Sequence, residues 1–368
     1  MNNFGVIVNG LKCPIIKNGD SIPSIALSVL DGYIQNAALS VDDKDVLCIT
    51  ESIVARAQGN YVTVNDICQF LGENSVKKSL ILYSPIMSRN RFSVILRGLT
   101  RFADSIEVIL HGACDEQGNP NYGINPFSGV DIQQYYQEIA QEEQCNLHFT
   151  AVENTTVEEV AQRYDSNECT FIDARCHPTT DKTIYTLAWV LSSPVQRTNG
   201  SWSGSNESYG VLGSNKSDDE TLKLFPKDCF ALCQSIQALI EEKYGKKIEV
   251  LVYGDGCFKD PVGGIWEFAD PITCPGYTEG LVGTPNELKL KALVDTKYNE
   301  LSGEALNVAI SNEIKNKKAN LVGSMESQGT TPRRYIDLLA SLADLTSGSG
   351  DKGTPMVYIK NYFNNYSN

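Results

Sequence analysis

The segment DVLCITESIVARAQG, residues 45–59, opens on an unbroken apolar run and turns polar at Thr50. A short apolar run bounded by polar residues reads as a buried strand. Glu51, Ser52 and Arg56 then stand where the chain leaves that strand, ahead of Gly59. Strand ends are where sheet proteins commonly hold ligand groups, and a guanidinium is a planar fork suited to phosphate. The same residues also fit a plain surface turn with a solvated arginine.

Working outward, residues 106–110, 147–152, 248–253 and 354–360 read as further strands, and 92–96 (FSVIL) as another. Helical patterns cover 65–71, 131–144, 155–163, 228–244 and 303–317. The third of these carries Thr155-x-x-Glu158 as a capping box, and Gly245 closes the fourth. Two more helices are expected to start at Thr284-Pro285-x-Glu287 and at Thr331-Pro332, where Thr suits the cap and Pro the first turn. Residues 111–128 and 199–219 are rich in Gly, Pro, Ser and Asn and read as loops. Strands and helices mix without a regular βαβ rhythm. The expected class is therefore α+β, with mixed sheets, flanking helices and two intertwined domains, and 368 residues are enough for two cores.

The formal net charge is −14. An acidic surface repels phosphate backbones, which argues against nucleic acid as a partner while leaving room for a small anion in a local basic pocket. No apolar run reaches membrane-spanning length, so no membrane partner is expected. Residues 1–16 show no basic stretch followed by an apolar core, so no signal peptide is expected. Eleven scattered cysteines include no CxxC pair, which suits reduced core thiols and a cytoplasmic location. The three histidines, His111, His148 and His177, form no paired ligand motif, which argues against zinc. No G-x-S-x-G elbow marks a hydrolase nucleophile.

Four glycine-containing loops can carry chemistry. They are 13–20 (CPIIKNGD), 50–59, 253–261 (YGDGCFKDP) and 347–355 (SGSGDKGTP). Asp255 between two glycines lets backbone approach a ligand while its carboxylate faces a cation. Lys259 follows within reach of a phosphate, and a bland turn built on Gly-Asp-Gly is the competing reading. In the last loop, glycine amides can cradle phosphate oxygens and Lys352 adds charge, but the Walker A order is absent. Arg89, Arg91, Arg97 and Arg101 crowd around the expected strand 92–96. They read either as an anion clamp or as a structural ion-pair network.

Taken in order, these loops resemble the coenzyme F(420)-0:L-glutamate ligases, the γ-glutamyl ligases of the deazaflavin cofactor pathway. Pro14-Ile15-Ile16-Lys17-x-Gly19-Asp20 is similar to that family's Leu-Pro-x-Ile-x-x-Gly-Asp. Residues 45–59 are similar to its strand followed by Ile-Val-Ser-Lys-Ala-Glu-Gly. Residues 252–259 resemble its Asp-Thr-x-Gly-Arg loop, and 350–359 its terminal glycine loop and strand. The resemblance implies an enzyme that uses GTP, or ATP, with magnesium or manganese to join L-glutamate to an acidic small molecule, as a homodimer. It puts the nucleotide on Cys13, Pro14, Ile15, Ile16, Glu51, Ser52, Arg56, Ser349 and Lys352. It puts the metal on Asp255 and Asp351. The chemistry that such a ligase needs is then expected of Asp255, Lys259 and Arg56, and Arg89, Arg91, Arg97 and Arg101 are the cations that suit the carboxylates of the acidic acceptor.

The resemblance divides the chain into ligase regions 1–113 and 227–368, with 114–226 as an insertion or lid. It also marks departures. Leu96-Arg97-Gly98-Leu99-Thr100 stands where the family has Asn-Ala-Gly-x-Asp, so a metal carboxylate is replaced by Thr100, and Gly256 replaces a threonine. A regulatory protein that kept the nucleotide pocket and lost ligase turnover is the alternative expectation.

Overall fold

The computed structural model describes residues 5–115, 118–124, 129–174, 185–186, 215–254, 258–259, 266–267, 274–321, 324, 327, 333–347 and 350–367. Two five-stranded sheets organise them.

The first sheet has the order β1-β15-β2-β11-β14. Its members are β1 (Ile7–Leu11), β2 (Val46–Thr50), β11 (Glu249–Tyr253), β14 (Gly276–Tyr277) and β15 (Met356–Lys360). β2 and β11 are parallel, whereas β15 runs antiparallel to both β1 and β2. The three central strands are almost wholly buried, which is why their sequences are continuous apolar runs rather than alternating ones. Leu47 and Ile49 pack with α1 (Ile22–Ala37) and α7 (Cys229–Tyr244). Val46 and Cys48, on the opposite face, pack with α10 (Tyr335–Ser347). The sheet thus takes strands from both ends of the chain.

The second sheet has the order β6-β5-β4-β7-β8, and every neighbouring pair is parallel. It comprises β4 (Ser79–Tyr83), β5 (Ser105–His111), β6 (Asn146–Val152), β7 (Thr170–Asp173) and β8 (Tyr185–Thr186). The helices α4 (Arg91–Phe102), α5 (Ile132–Glu142) and α6 (Val157–Ala161) connect β4 through β7 in turn. The whole is a mixed α and β fold, as expected, but residues 79–173 do carry the βαβ rhythm that the sequence reading denied.

The cause of that miss is the segment 92–96. Its Phe, Val and Ile suggested a strand, yet it lies inside α4. Phe92, Ile95, Leu96, Leu99 and Phe102 are buried at helical spacing in the core, and packing against α3 (Val64–Glu73) overrides the weak strand propensity. With α4 taken for a strand, no crossover helix preceded the strand read at 106–110.

Smaller elements also shift. β3 (Tyr61–Thr63), β10 (Thr221–Lys223) and β9 (Asn215–Asp218) form an antiparallel sheet, so the end of the polar stretch 199–219 is strand rather than loop. β12 (Phe258–Lys259) and β13 (Trp266–Glu267) pair as a two-stranded sheet. The capping box of α6 is Thr156 with Glu159, one residue later than Thr155 with Glu158, because the helix starts at Val157. The helix expected at Thr284-Pro285 begins only at Leu290 as α8 (Leu290–Thr296), followed by α9 (Gly303–Asn316). Thr331 and Pro332 lie outside the described residues, and the helix beyond them, α10, begins at Tyr335.

Candidate functional site

Four loop-bearing strand ends meet at one edge of the first sheet. The register pairs Leu11 with Met356, Met356 with Ile49, and Ile49 with Val252. β1, β2 and β11 therefore end in one row, and β15 begins there. Loop 13–20 follows β1, loop 50–59 follows β2, Gly254 follows β11, and residues 350–355 lead into β15. Segments up to about 340 positions apart in the chain thus share a single edge.

The loops are bonded to one another. Cys13 N donates to Gly353 O at 2.9 Å, Thr50 N to Pro355 O at 3.0 Å, and Gly19 N to Ala57 O at 2.9 Å. Gly59 adopts φ +63°, and a Cβ there would lie 2.6 Å from Asn18 Oδ1, so only glycine lets these two loops touch.

The expected nucleotide residues fall on this edge in different states. Ile16 is buried in the core beside α1, whereas Pro14 and Ile15 are exposed. Cys13 is half-buried, and burial pushes its thiol up to about 11, which keeps it neutral and unreactive. Arg56 is exposed in the last turn of α2 (Glu51–Ala57), and Ser52 is half-buried. Asp351 and Lys352 are exposed in a short turn, Gly350–Lys352. Lys259 is on β12, while Asp255 and Ser349 lie outside the described residues.

Glu51 is 1% exposed, and Lys223 Nζ lies 2.7 Å from both of its carboxylate oxygens. This buried pair ties β10 to the end of β2. Two buried opposite charges in contact offset much of each other's desolvation. Lys223 escaped the sequence reading, since nothing in a polar stretch some 170 residues downstream points to Glu51. Close by, Gln58 Nε2 donates to Lys227 O at 2.7 Å and Gln58 Oε1 accepts from Lys227 N at 3.0 Å, joining the end of α2 to the approach to α7.

The four arginines do not flank a strand. Arg97 and Arg101 lie one turn apart on α4. Arg97 Nη1 reaches Glu142 at 2.8 Å and Glu143 at 3.3 Å. Arg101 grips Glu143 bidentately, through Nε at 3.0 Å and Nη2 at 2.7 Å, and meets Glu220 at 2.8 Å. Both thus hold α4 to the end of α5, and Arg101 also holds it to the β9–β10 turn, contacts of the kind the ion-pair reading expects. Arg91 is the first residue of α4 and is 2% exposed, and Arg89 lies over the ring of Tyr135. Thr100 is buried within α4, where its hydroxyl donates to Leu96 O at 2.9 Å.

Residues 10–361 match the profile of the F420-0:Gamma-glutamyl ligase family. The chain belongs to that family. The match takes in all four loops at the shared edge and both sheets apart from the start of β1. The F420-0:gamma-glutamyl ligases are a ligase family, so membership marks the chain as an enzyme of γ-glutamyl ligase type in the general sense. A search of curated proteins finds no match. Among the described residues, no helix is long and apolar enough to cross a membrane, and no three His, Cys, Asp or Glu side chains gather as a metal site.

Proposed function

We propose that the protein is a nucleotide- and metal-dependent γ-glutamyl ligase that joins L-glutamate to a carboxylate-bearing small molecule, coenzyme F(420)-0-like or folate-like, as a cytoplasmic homodimer. The observation that carries this reading is the convergence of the four loops on one sheet edge. Of the side chains described there, Arg56 and Lys352 are exposed cations, and the family match covers every loop involved. GTP, or ATP, sits on this edge with its phosphates toward Arg56, Lys352 and Lys259.

The chemistry follows from the need to activate a carboxylate. The acceptor carboxylate oxygen attacks the γ-phosphorus, the nucleoside diphosphate leaves, and an acyl phosphate forms. The glutamate amine then attacks the acyl carbon, loses a proton, and expels inorganic phosphate. Cationic side chains hold charge on the transferring phosphoryl group. Magnesium or manganese, when bound, neutralises phosphate charge, and such ions are usually held by one or two carboxylates together with phosphate oxygens. Asp351, exposed at this edge, and Asp255 are the two carboxylates that fit that pattern.

The second reading, a nucleotide-binding regulator without turnover, draws on Thr100, because the residue standing in for a metal aspartate is sealed inside a helix. One experiment separates the two. The protein is incubated with nucleotide, Mg²⁺ or Mn²⁺, L-glutamate and a metabolite extract, and analysed by mass spectrometry. Ligase function gives a product heavier by one glutamyl unit and phosphate release that requires glutamate. Nucleotide binding with no such product supports the regulator. No nucleotide binding at all removes both.

A further inference from the structure

The second sheet has a place where strand order reverses. The chain runs from β4 outward through β5 to β6, then returns to the other side of β4 as β7. Where neighbouring parallel strands send their connections in opposite directions, the loops part beyond the carboxyl ends, and ligands of open α/β sheets bind there. In this protein that point lies between Tyr83 and Asp173, which are register partners at the ends of β4 and β7.

The polar residues at this edge are unusually buried. Asp173 is 0% exposed and Arg91, at the start of α4, is 2% exposed. The loop after β4 is fixed by Tyr136 Oη, which donates to Ser88 O at 2.8 Å, and by Met87 N, which donates to Asp115 at 2.9 Å. That second bond docks the loop after β5 beside it. In the latter loop Asn121 is 1% exposed. Its Nδ2 donates to Gly112 O at 3.1 Å and to His111 O at 3.4 Å, at the carboxyl end of β5. Those bonds fix the orientation of the amide, and its Oδ1 has no hydrogen-bond partner. A buried amide oxygen left without a donor is a standing cost to the fold, and a ligand hydroxyl would remove it.

We propose that this edge is a second small-molecule site, separate from the loop edge of the first sheet, that takes a phosphate-bearing ligand with free hydroxyl groups. The phosphate lies at the start of α4 beside Arg91, where helix amides and guanidinium both favour an anion. The hydroxyls donate to the Asp173 carboxylate and to Asn121 Oδ1. Asn90, the N-cap of α4, makes no side-chain capping bond, and its Oδ1 accepts from Lys216 N at 2.6 Å. The proposal stands without the ligase reading.

Ribose 5-phosphate and adenosine 5′-monophosphate are the probes, titrated calorimetrically into the full chain, with hydrogen exchange read alongside. We expect saturable binding of at least one, with added protection in residues 84–91, 111–115 and 118–124. Asp173→Asn and Asn121→Ala should each weaken it about tenfold or more, the scale of a lost bond to a charged or buried group. Arg56→Ala, on the other sheet, should leave the binding of ribose 5-phosphate unchanged. If Asp173→Asn lowers the melting temperature, Asn121→Ala carries the comparison. No saturable binding of either probe overturns the site. So does binding that survives both variants, or ribose 5-phosphate binding that Arg56→Ala abolishes.

Discussion

Lys223 Nζ stands 2.7 Å from each carboxylate oxygen of Glu51, a buried contact between residues 172 positions apart. It fastens the three-stranded sheet of β3, β9 and β10 to the end of β2, next to the loop that carries Arg56. Removing one partner strands the other charge in the interior. Lys223→Met should therefore lose about 3–5 kcal/mol of stability, and the double variant Lys223→Met/Glu51→Gln should recover much of it. Urea midpoints of the single and double variants check this. Equal stability of Lys223→Met and the parent would show that the pair contributes nothing.

Glu143 makes acid stability legible. Its bond to Arg101, assisted by Arg97, holds its carboxyl below the ordinary glutamate value of 4.5. A depressed folded-state value means that the stabilisation is fully present above the unfolded value and is lost as pH falls through the folded one. Between neutral pH and the acid range below 4.5, the parent should lose more stability than Glu143→Gln, which has no such carboxylate to protonate. Parallel pH profiles for the two proteins would contradict the assignment.

Gly276 tests the packing of the edge strand β14 against α7. A Cβ there would sit 2.3 Å from the backbone carbon of Cys229, closer than any side chain tolerates. Gly276→Ala must push the strand or the helix start, and should cost about 1–3 kcal/mol as overpacking. Chemical denaturation measures it, and an unshifted midpoint would mean that the strand yields freely.

The loop edge of the first sheet makes a nucleotide prediction. Arg56→Ala should weaken nucleotide binding by about 1.5–3 kcal/mol, the range for hydrogen bonds to charged groups, with Arg56→Lys recovering part. Asp255→Asn should remove the Mg²⁺ or Mn²⁺ dependence of that binding. Titrations with and without metal decide both. Wild-type affinity in Arg56→Ala would reduce that residue to a surface turn, and unchanged metal dependence would clear Asp255 of its role.

Arg97→Ala and Arg101→Ala should behave as structural variants. Both side chains already grip Glu142, Glu143 or Glu220. Thermal melting should fall in each variant, with no selective rise in the Michaelis constant for an acceptor. A selective rise without loss of stability would restore the clamp.

The sequence by itself determined the central strands of the first sheet, because β2, β11 and β15 are buried on both faces and must be written as apolar runs. It likewise determined α7 with its Gly245 cap, and the order of the four glycine loops that carries the family resemblance. These are local signals, readable within a few residues. Tertiary structure alone decided that 92–96 is helix, since its side chains satisfy either period until α3 and β4 pack against them. It also decided that the four loops share one edge, because strand register across the sheet is a relation between distant segments. The partners of Glu51, Arg97 and Arg101 belong to the same class. A charge chooses its counter-charge by distance in space, and loop closure over 42 to 172 residues leaves no trace in local composition.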